Sequence, residues 1–216
     1  MDNLILEIKE LNHAYGESDI IIKDLSFNIS IGERVSILGP SGCGKSTLLR
    51  LIAGLEKPNS GEIIKKAEVM TSHEIFIPPE KRNVGLVVQE KALFPHLTVY
   101  ENVCFGIRRN QDKNKIVSDL LELLKIDSLK NKHPHEISGG EQQRGALARS
   151  LAPTPDLLML DEPFSALDEE LRKTLYEEVS EVFSEKNSSI LLVTHDAYEA
   201  EVMTDKQLRM ENGKLI

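Results

Sequence analysis

Nine residues constrain this chain more than any others. Gly39-Pro40-Ser41-Gly42-Cys43-Gly44-Lys45-Ser46-Thr47 satisfies every fixed position of the phosphate-binding pattern G-x-x-x-x-G-K-[ST]. Before it, Arg34 to Leu38 is short, apolar and β-branched; after it, Leu48 to Ala53 has helical character and stops at Gly54. That is the strand, loop and helix order the pattern needs. The glycines let the backbone curl so that successive N–H groups converge on phosphate oxygens, and the N-terminus of the following helix adds partial positive charge. Lys45 is placed to reach the β- and γ-phosphates, and the Ser46 hydroxyl to ligate Mg²⁺. The plainer reading is a glycine turn opening an ordinary helix, and only partner motifs elsewhere in the chain can decide between the two.

At 216 residues the chain is long enough for one large domain with a sizeable core. Its net charge is −9, and its basic residues occur in runs no longer than pairs such as Lys65-Lys66 and Arg108-Arg109. Nucleic acid and anionic lipid are therefore not expected as main partners. No apolar stretch approaches the roughly 20 residues that span a bilayer, and Met1-Asp2-Asn3 lacks the character of a signal peptide. Two cysteines, Cys43 and Cys104, stand far apart without a C-x-x-C pairing, which fits a reducing compartment and argues against zinc or disulfide scaffolding.

Alternation of apolar and polar residues predicts strands over Leu4 to Ile8 and Leu25 to Ile31. Asn12 to Gly16 between them reads as a loop, where Tyr15 either packs or stacks on adenine. Lys57 to Gly61 is a turn cluster leading into a strand at Glu62 to Lys65, while residues 66 to 80 have no clear assignment beyond an extended Ile77-Pro78-Pro79. Val84 to Val88 reads as a strand delivering Gln89 at its C-terminal end, where ligand-facing residues of open α/β sheets sit. From Leu93 to Leu151 the pattern is helical, with Ile116, Val117, Leu120, Leu121 and Leu124 on one amphipathic face. Within it, Ser138-Gly139-Gly140-Glu141 predicts a capping box opening a helix over Gln142 to Ala152; the same bare turn is also a potential anion site.

Leu157 to Leu160 predicts a strand buried on both faces, ending in Asp161-Glu162-Pro163. Two carboxylates there are costly without a cation or a catalytic role. Asp161 is the expected Mg²⁺ partner and Glu162 the base that orients an attacking water. Asp168 is an N-cap candidate for a helix burying Leu171, Leu175, Val179 and Val182. Ser189 to Thr194 predicts another buried strand, with His195 at its end as a γ-phosphate contact. Gln207 to Met210 and Lys214 to Ile216 form a hairpin about the Asn212-Gly213 turn.

Taken in order and spacing, these stretches resemble the nucleotide-binding subunit of ATP-binding cassette transporters over essentially the whole length. Residues 39–47, Gln89, Ile137 to Glu141, Leu157 to Glu162, Ser165 to Asp168 and His195 match that family's Walker A, Q-loop, signature, Walker B, D-loop and H-loop. Ser138-Gly139-Gly140 discriminates most, since other phosphate-loop ATPases lack it; Ile137 and Glu141 stand where leucine and glutamine are commoner. The resemblance implies a single domain, an α/β P-loop NTPase (RecA-like) core with an antiparallel β subdomain and an inserted α-helical subdomain. Residues 1–92 and 153–216 would form the first two parts and residues 93–152 the third.

The resemblance also implies a site: Glu162, His195, Lys45 and Gln89 catalytic, Ser46, Gln89 and Asp161 toward Mg²⁺, and ATP on Tyr15, residues 39–47, Ser138 to Glu141 and Asp168. It implies a second copy of the chain as partner, each Ser138 to Glu141 turn closing on the nucleotide of the other. Transmembrane permease subunits, a separate solute-binding protein, and a cytoplasmic position on the inner face of the membrane complete the picture. Pro79-Glu-Lys-Arg82, Ala92 to Val99 and Glu101-Asn-Val103 look like the importer ATPases for sulfate, molybdate, ferric iron, polyamines, thiamine or sugars. Many of those carry a C-terminal regulatory domain, which is not expected within residues 1–216. Competing classes are a soluble cassette ATPase acting on ribosomes or DNA, a small-molecule kinase, and a non-enzymatic regulator. The single cassette and acidic balance disfavour the first, the Ser138 turn and paired acids the second, and the presence of Glu162 and His195 the third.

Overall fold

The computed structural model describes residues 3–16, 19–88, 93–107, 110–165, 169–185 and 187–216. From the N-terminus, β1 (Leu4–Ala14), β2 (Ile20–Ser30) and β3 (Arg34–Leu38) precede α1 (Lys45–Ala53), which is followed by β4 (Ser60–Lys65), β5 (Glu68–Thr71) and β6 (Val84–Val87). Three helices come next, α2 (Val99–Cys104), α3 (Lys113–Leu123) and α4 (Gly139–Leu151). The chain then alternates through β7 (Leu157–Asp161), α5 (Glu169–Glu185), β8 (Ile190–Thr194), α6 (Ala197–Met203), β9 (Lys206–Glu211) and β10 (Lys214–Leu215).

The strands form two sheets. One is antiparallel, in the order β2-β1-β4-β5; the other runs β10-β9-β3-β8-β7-β6, with β9, β3, β8, β7 and β6 parallel and β10 antiparallel at the edge. Because successive strand side chains point to opposite faces, the apolar run of β7 serves two cores. Leu157 and Met159 join a cluster with α1 and the antiparallel sheet, while Leu158 and Leu160 join a cluster with helices α2 to α5. β8 does the same, with Leu191 and Val193 on one side and Ile190 and Leu192 on the other. Each such side chain, fully buried, contributes on the order of 1.5–3 kcal/mol.

Several expectations are corrected. β1 does not end at Ile8 but runs to Ala14, so only Tyr15 and Gly16 of the expected loop are loop among the described residues. Its far end is held from outside: Asn59 donates its backbone N–H to the Asn12 carbonyl, and its side-chain oxygen accepts from the Ala14 N–H. β2 begins at Ile20, and Ile20 pairs with Ala14 through a bulged register that hides the alternation. The unassigned residues 66–80 hold β5 and the start of a 3₁₀ turn, Pro79–Lys81. Helix α6, which no motif announced, is capped by Asp196 accepting from the Tyr198 and Glu199 N–H groups. The helical stretch breaks into short pieces, α2 having only six residues.

Other expectations stand. Ile116 is half-buried and Val117, Leu120, Leu121 and Leu124 are buried on the α3 side, as are Leu175, Val179 and Val182 of α5; the side chain of Leu171 lies outside the described part. Asn212 and Gly213 both take positive φ, 48° and 80°, the left-handed pair that a tight hairpin turn requires.

Candidate nucleotide site

The parallel order β3-β8-β7 decides which chain ends meet. Leu38 pairs with Thr194, and Asp161 with Val193, so the three C-terminal ends are level. The loop after β3, His195 after β8, and Asp161-Glu162 at the end of β7 therefore face one another at the rim of the sheet.

The loop itself is built to receive an anion. Gly44 at φ 109° opens α1, and no side chain caps the helix N-terminus; its first turn contains no acidic residue. Those first N–H groups are thus left for another acceptor. The adjoining cavity, of about 360 Å³, is lined by Ile21, Ser41, Gly42, Gly44, Lys45, Ser46, Thr47 and Glu162. Behind the loop, the hairpin turn docks: the Gly213 N–H donates to the Cys43 carbonyl at 3.2 Å. A Cβ on Gly39 would stand 2.3 Å from the Met210 carbonyl oxygen, so that close approach admits only glycine. Pro40 closes the inner turn, its carbonyl accepting from the Cys43 N–H, and Cys43 is buried against the loop.

Lys45 is 4 % exposed and donates to the carbonyls of Gly39 and Pro40, at 2.7 and 3.0 Å. Its Nζ lies 3.6 Å from Glu162 Oε1, and Glu162 Oε2 lies 3.1 Å from His195 Nδ1. Ser46 Oγ donates to Asp161 Oδ1 at 3.0 Å. Burial, with repulsion from Glu162 adding to it, raises the Asp161 pKa against the opposing hydrogen bond from Ser46. A hydroxyl and a half-buried carboxylate at that separation form the hard-oxygen pair that suits Mg²⁺, so these residues fit the ion. Glu162 takes φ 44°, a left-handed backbone that costs about 1–2 kcal/mol for a residue with a side chain. The bend is held by its N–H on the Val193 carbonyl, at 3.0 Å, and by the Ser165 N–H and hydroxyl on its own carbonyl, at 3.2 and 3.0 Å.

Tyr15 stands at the side of α1, its hydroxyl 3.5 Å from Thr47 Oγ1 and donating to Glu56 Oε2 at 2.6 Å. Ser138 is the N-cap of α4, with both arms of the capping box formed to Glu141. The Ser138 backbone N–H, and then its hydroxyl, hold the Glu141 carboxyl below its ordinary value. The structure thus brings Lys45, Ser46, Asp161, Glu162 and His195 together. Among the described residues, no hydrogen bond, ion pair or cavity joins Ser138, Gly139, Gly140 or Glu141 to that group. Gln89 and Asp168 lie outside the described residues.

A residue outside the nucleotide motifs also shapes the site. Arg82 is fully buried and donates to the carbonyls of Leu51, Ile52, Ile77 and Met70 and to the Thr71 hydroxyl. It therefore neutralises the C-terminal end of α1, whose partial charge is negative; burial lowers its pKa to about 10. The Pro-flanked run 78–82 is the one sequence hint of it.

Fold and cradle together define a phosphate-loop nucleotide-binding domain. A profile described as ABC transporter matches residues 22–165, and the chain belongs to that family. Among curated relatives, the Fe(3+) ions import ATP-binding protein FbpC of Haemophilus influenzae is 42 % identical over 220 residues, covering all of this chain and 62 % of the relative. The spermidine/putrescine import ATP-binding protein PotA of Legionella pneumophila is 41 % identical over 219 residues, again covering all of this chain and 59 % of the relative. The chain thus spans about three fifths of the length of these curated relatives. Among solved structures, CbiO1 of Clostridium perfringens, described as part of the ABC transporter complex cbiONQ, superposes with TM-score 0.88 at 31 % identity, over all of this chain and 88 % of that one. The ATP-binding cassette MJ0796, solved as a dimer in a post-hydrolysis state with ADP and Pi, gives 0.83 at 30 % identity, over 97 % of this chain and 96 % of that one.

Proposed function

We propose that this chain binds and hydrolyses ATP as the nucleotide-binding subunit of a membrane transporter, with import as the direction. The observation that carries this is the contact of Ser46 with Asp161 at 3.0 Å beside Lys45, Glu162 and His195, since a phosphate cradle, an oxygen pair for Mg²⁺ and a basic carboxylate then share one rim. Lys45 turns from the Gly39 and Pro40 carbonyls to the β- and γ-phosphates, and the open N-terminus of α1 receives the phosphate oxygens. Ser46 and Asp161, with Gln89, would hold Mg²⁺, which would supply charge neutralisation on the phosphates. Glu162 accepts the proton of the attacking water, His195 orients that carboxylate and contacts the γ-phosphate, and Tyr15 supports the adenine.

Ser138, Gly139, Gly140 and Glu141 act on the nucleotide of a second copy, and Asp168 is a further nucleotide contact; the dimeric state of the similar MJ0796 cassette supports this pairing. The importer names of FbpC and PotA support permease subunits and a solute-binding protein as further partners, and a place at the cytoplasmic membrane face. Among the described residues, no helix is long and apolar enough to cross a membrane. Glu162→Gln tests the central role. Turnover should fall about 10²- to 10⁴-fold while ATP still binds in titration; near-normal turnover removes Glu162 from the mechanism.

A further inference from the structure

We infer that Glu56 is a positioning residue for base recognition, tethering the phenol of Tyr15 so that the ring is already placed when nucleotide arrives. This rests on the reading of Tyr15 as the adenine support. Tyr15 is 49 % exposed, so its ring has little packing of its own to hold it. Its hydroxyl instead donates to Glu56 Oε2 at 2.6 Å, a charge-assisted bond of the strong kind. The same oxygen lies 3.4 Å from Nε2 of His13, whose ring meets that of Tyr15 at 88° with centroids 4.9 Å apart. His13 is 7 % exposed, and neither of its ring nitrogens makes a hydrogen bond. One Glu56 oxygen thus stands close to both rings, and Arg50 on α1 steadies its other oxygen at 3.4 Å.

The backbone repeats the arrangement. Asn59, three residues beyond Glu56, bonds the Asn12 carbonyl and the Ala14 N–H just ahead of Tyr15. The connection from α1 to β4 therefore grips the end of β1 twice. Since α1 presents its N-terminus to phosphate and carries Glu56 just past its C-terminus, one rigid helix sets both the phosphate cradle and the base support. Fixing the ring beforehand lowers the ordering cost of binding.

The test is a double-mutant cycle on the full chain, with ATP and inorganic tripolyphosphate as probes. Tyr15→Phe keeps the ring but removes the tethered hydroxyl. It and Glu56→Ala should each weaken ATP binding about three- to tenfold, and the double variant should be no weaker than the worse single. Glu56→Gln, which still accepts from the phenol, should recover most of the affinity. Tripolyphosphate, having no base, should bind all variants alike. Additive losses in the double variant, or a matching loss for tripolyphosphate, would overturn the tether and leave Glu56 as mere support for the fold. Tyr15→Ala separates the two readings. If it binds ATP as tightly as the parent chain, the adenine role fails and the tether with it. If it alone weakens binding while Tyr15→Phe and Glu56→Ala do not, only the tether fails.

Discussion

At the residue scale, the rim combines groups that a low-dielectric setting would not tolerate without a task. Glu162 holds a left-handed backbone, and Asp161 is a carboxyl whose burial disfavours its charge. Glu199 of α6 shows the same tension. It is 3 % exposed, accepts from the Thr194 hydroxyl, and leaves its Oε1 without a hydrogen-bond partner. Burial outweighs that bond and, with Asp196 and Glu162 nearby, pushes its pKa up to about 8. An unfolded glutamate titrates near 4.3, so the native state binds the extra proton between those values. The stability this group contributes is complete below about pH 4 and is lost as pH rises through about 8. Glu199→Gln should therefore narrow the difference in Tm between about pH 6 and about pH 9; an unchanged difference places that titration elsewhere. Lys45, Ser46, Asp161 and Glu162 were legible because each lies in a local pattern with a fixed spacing. Glu56, Arg82 and Glu199 were not, because what they do depends on partners 41, 31 and 5 positions away, which only the fold assembles.

At the element scale, helix ends carry the design. α4 opens on a complete capping box at Ser138, the turn proposed to face a second nucleotide. Ser138→Ala should cost about 1 kcal/mol, read as a fall in Tm of about 2–4 °C; a Tm equal to the parent would show the cap to be redundant. α1 ends on Gly54 at φ 77° with Arg82 packed behind it, where a Cβ would stand 2.4 Å from the guanidinium Nε. Arg82→Met removes the guanidinium from five acceptors, four of them in buried bonds, and should destabilise by about 3 kcal/mol or more. A loss below about 1 kcal/mol in urea unfolding would mean water or backbone shifts satisfy them. Short strands with strict alternation or an unbroken apolar run, such as β3, β7 and β8, were read correctly from the chain. β1 and β2 were read short because their bulges break the period of two, and β5 was not read at all because four residues carry too little pattern.

At the scale of the whole molecule, the parallel sheet is the organiser. Its two faces feed two cores, one with α1 and the antiparallel sheet, one with the helices from α2 onward. Its level strand ends gather residues from positions 45 to 195 into one rim. Among the described residues, no hydrogen bond, ion pair or cavity joins the rim to the Ser138 turn of the same chain. The proposed function completes the site with a second copy, placed so that each Ser138 turn meets the other's phosphates. This pairing is an expectation from the family resemblance, since the spacing of the motifs along one chain does not reveal which copy they serve.

The most direct measurement is phosphate release per protomer at saturating ATP, followed across protein concentration for the parent chain and for Ser138→Arg. A site shared between two copies predicts that activity per protomer climbs with concentration toward a plateau, and that Ser138→Arg abolishes it while single-protomer ATP binding survives. Activity independent of concentration, undiminished in Ser138→Arg, would contradict it.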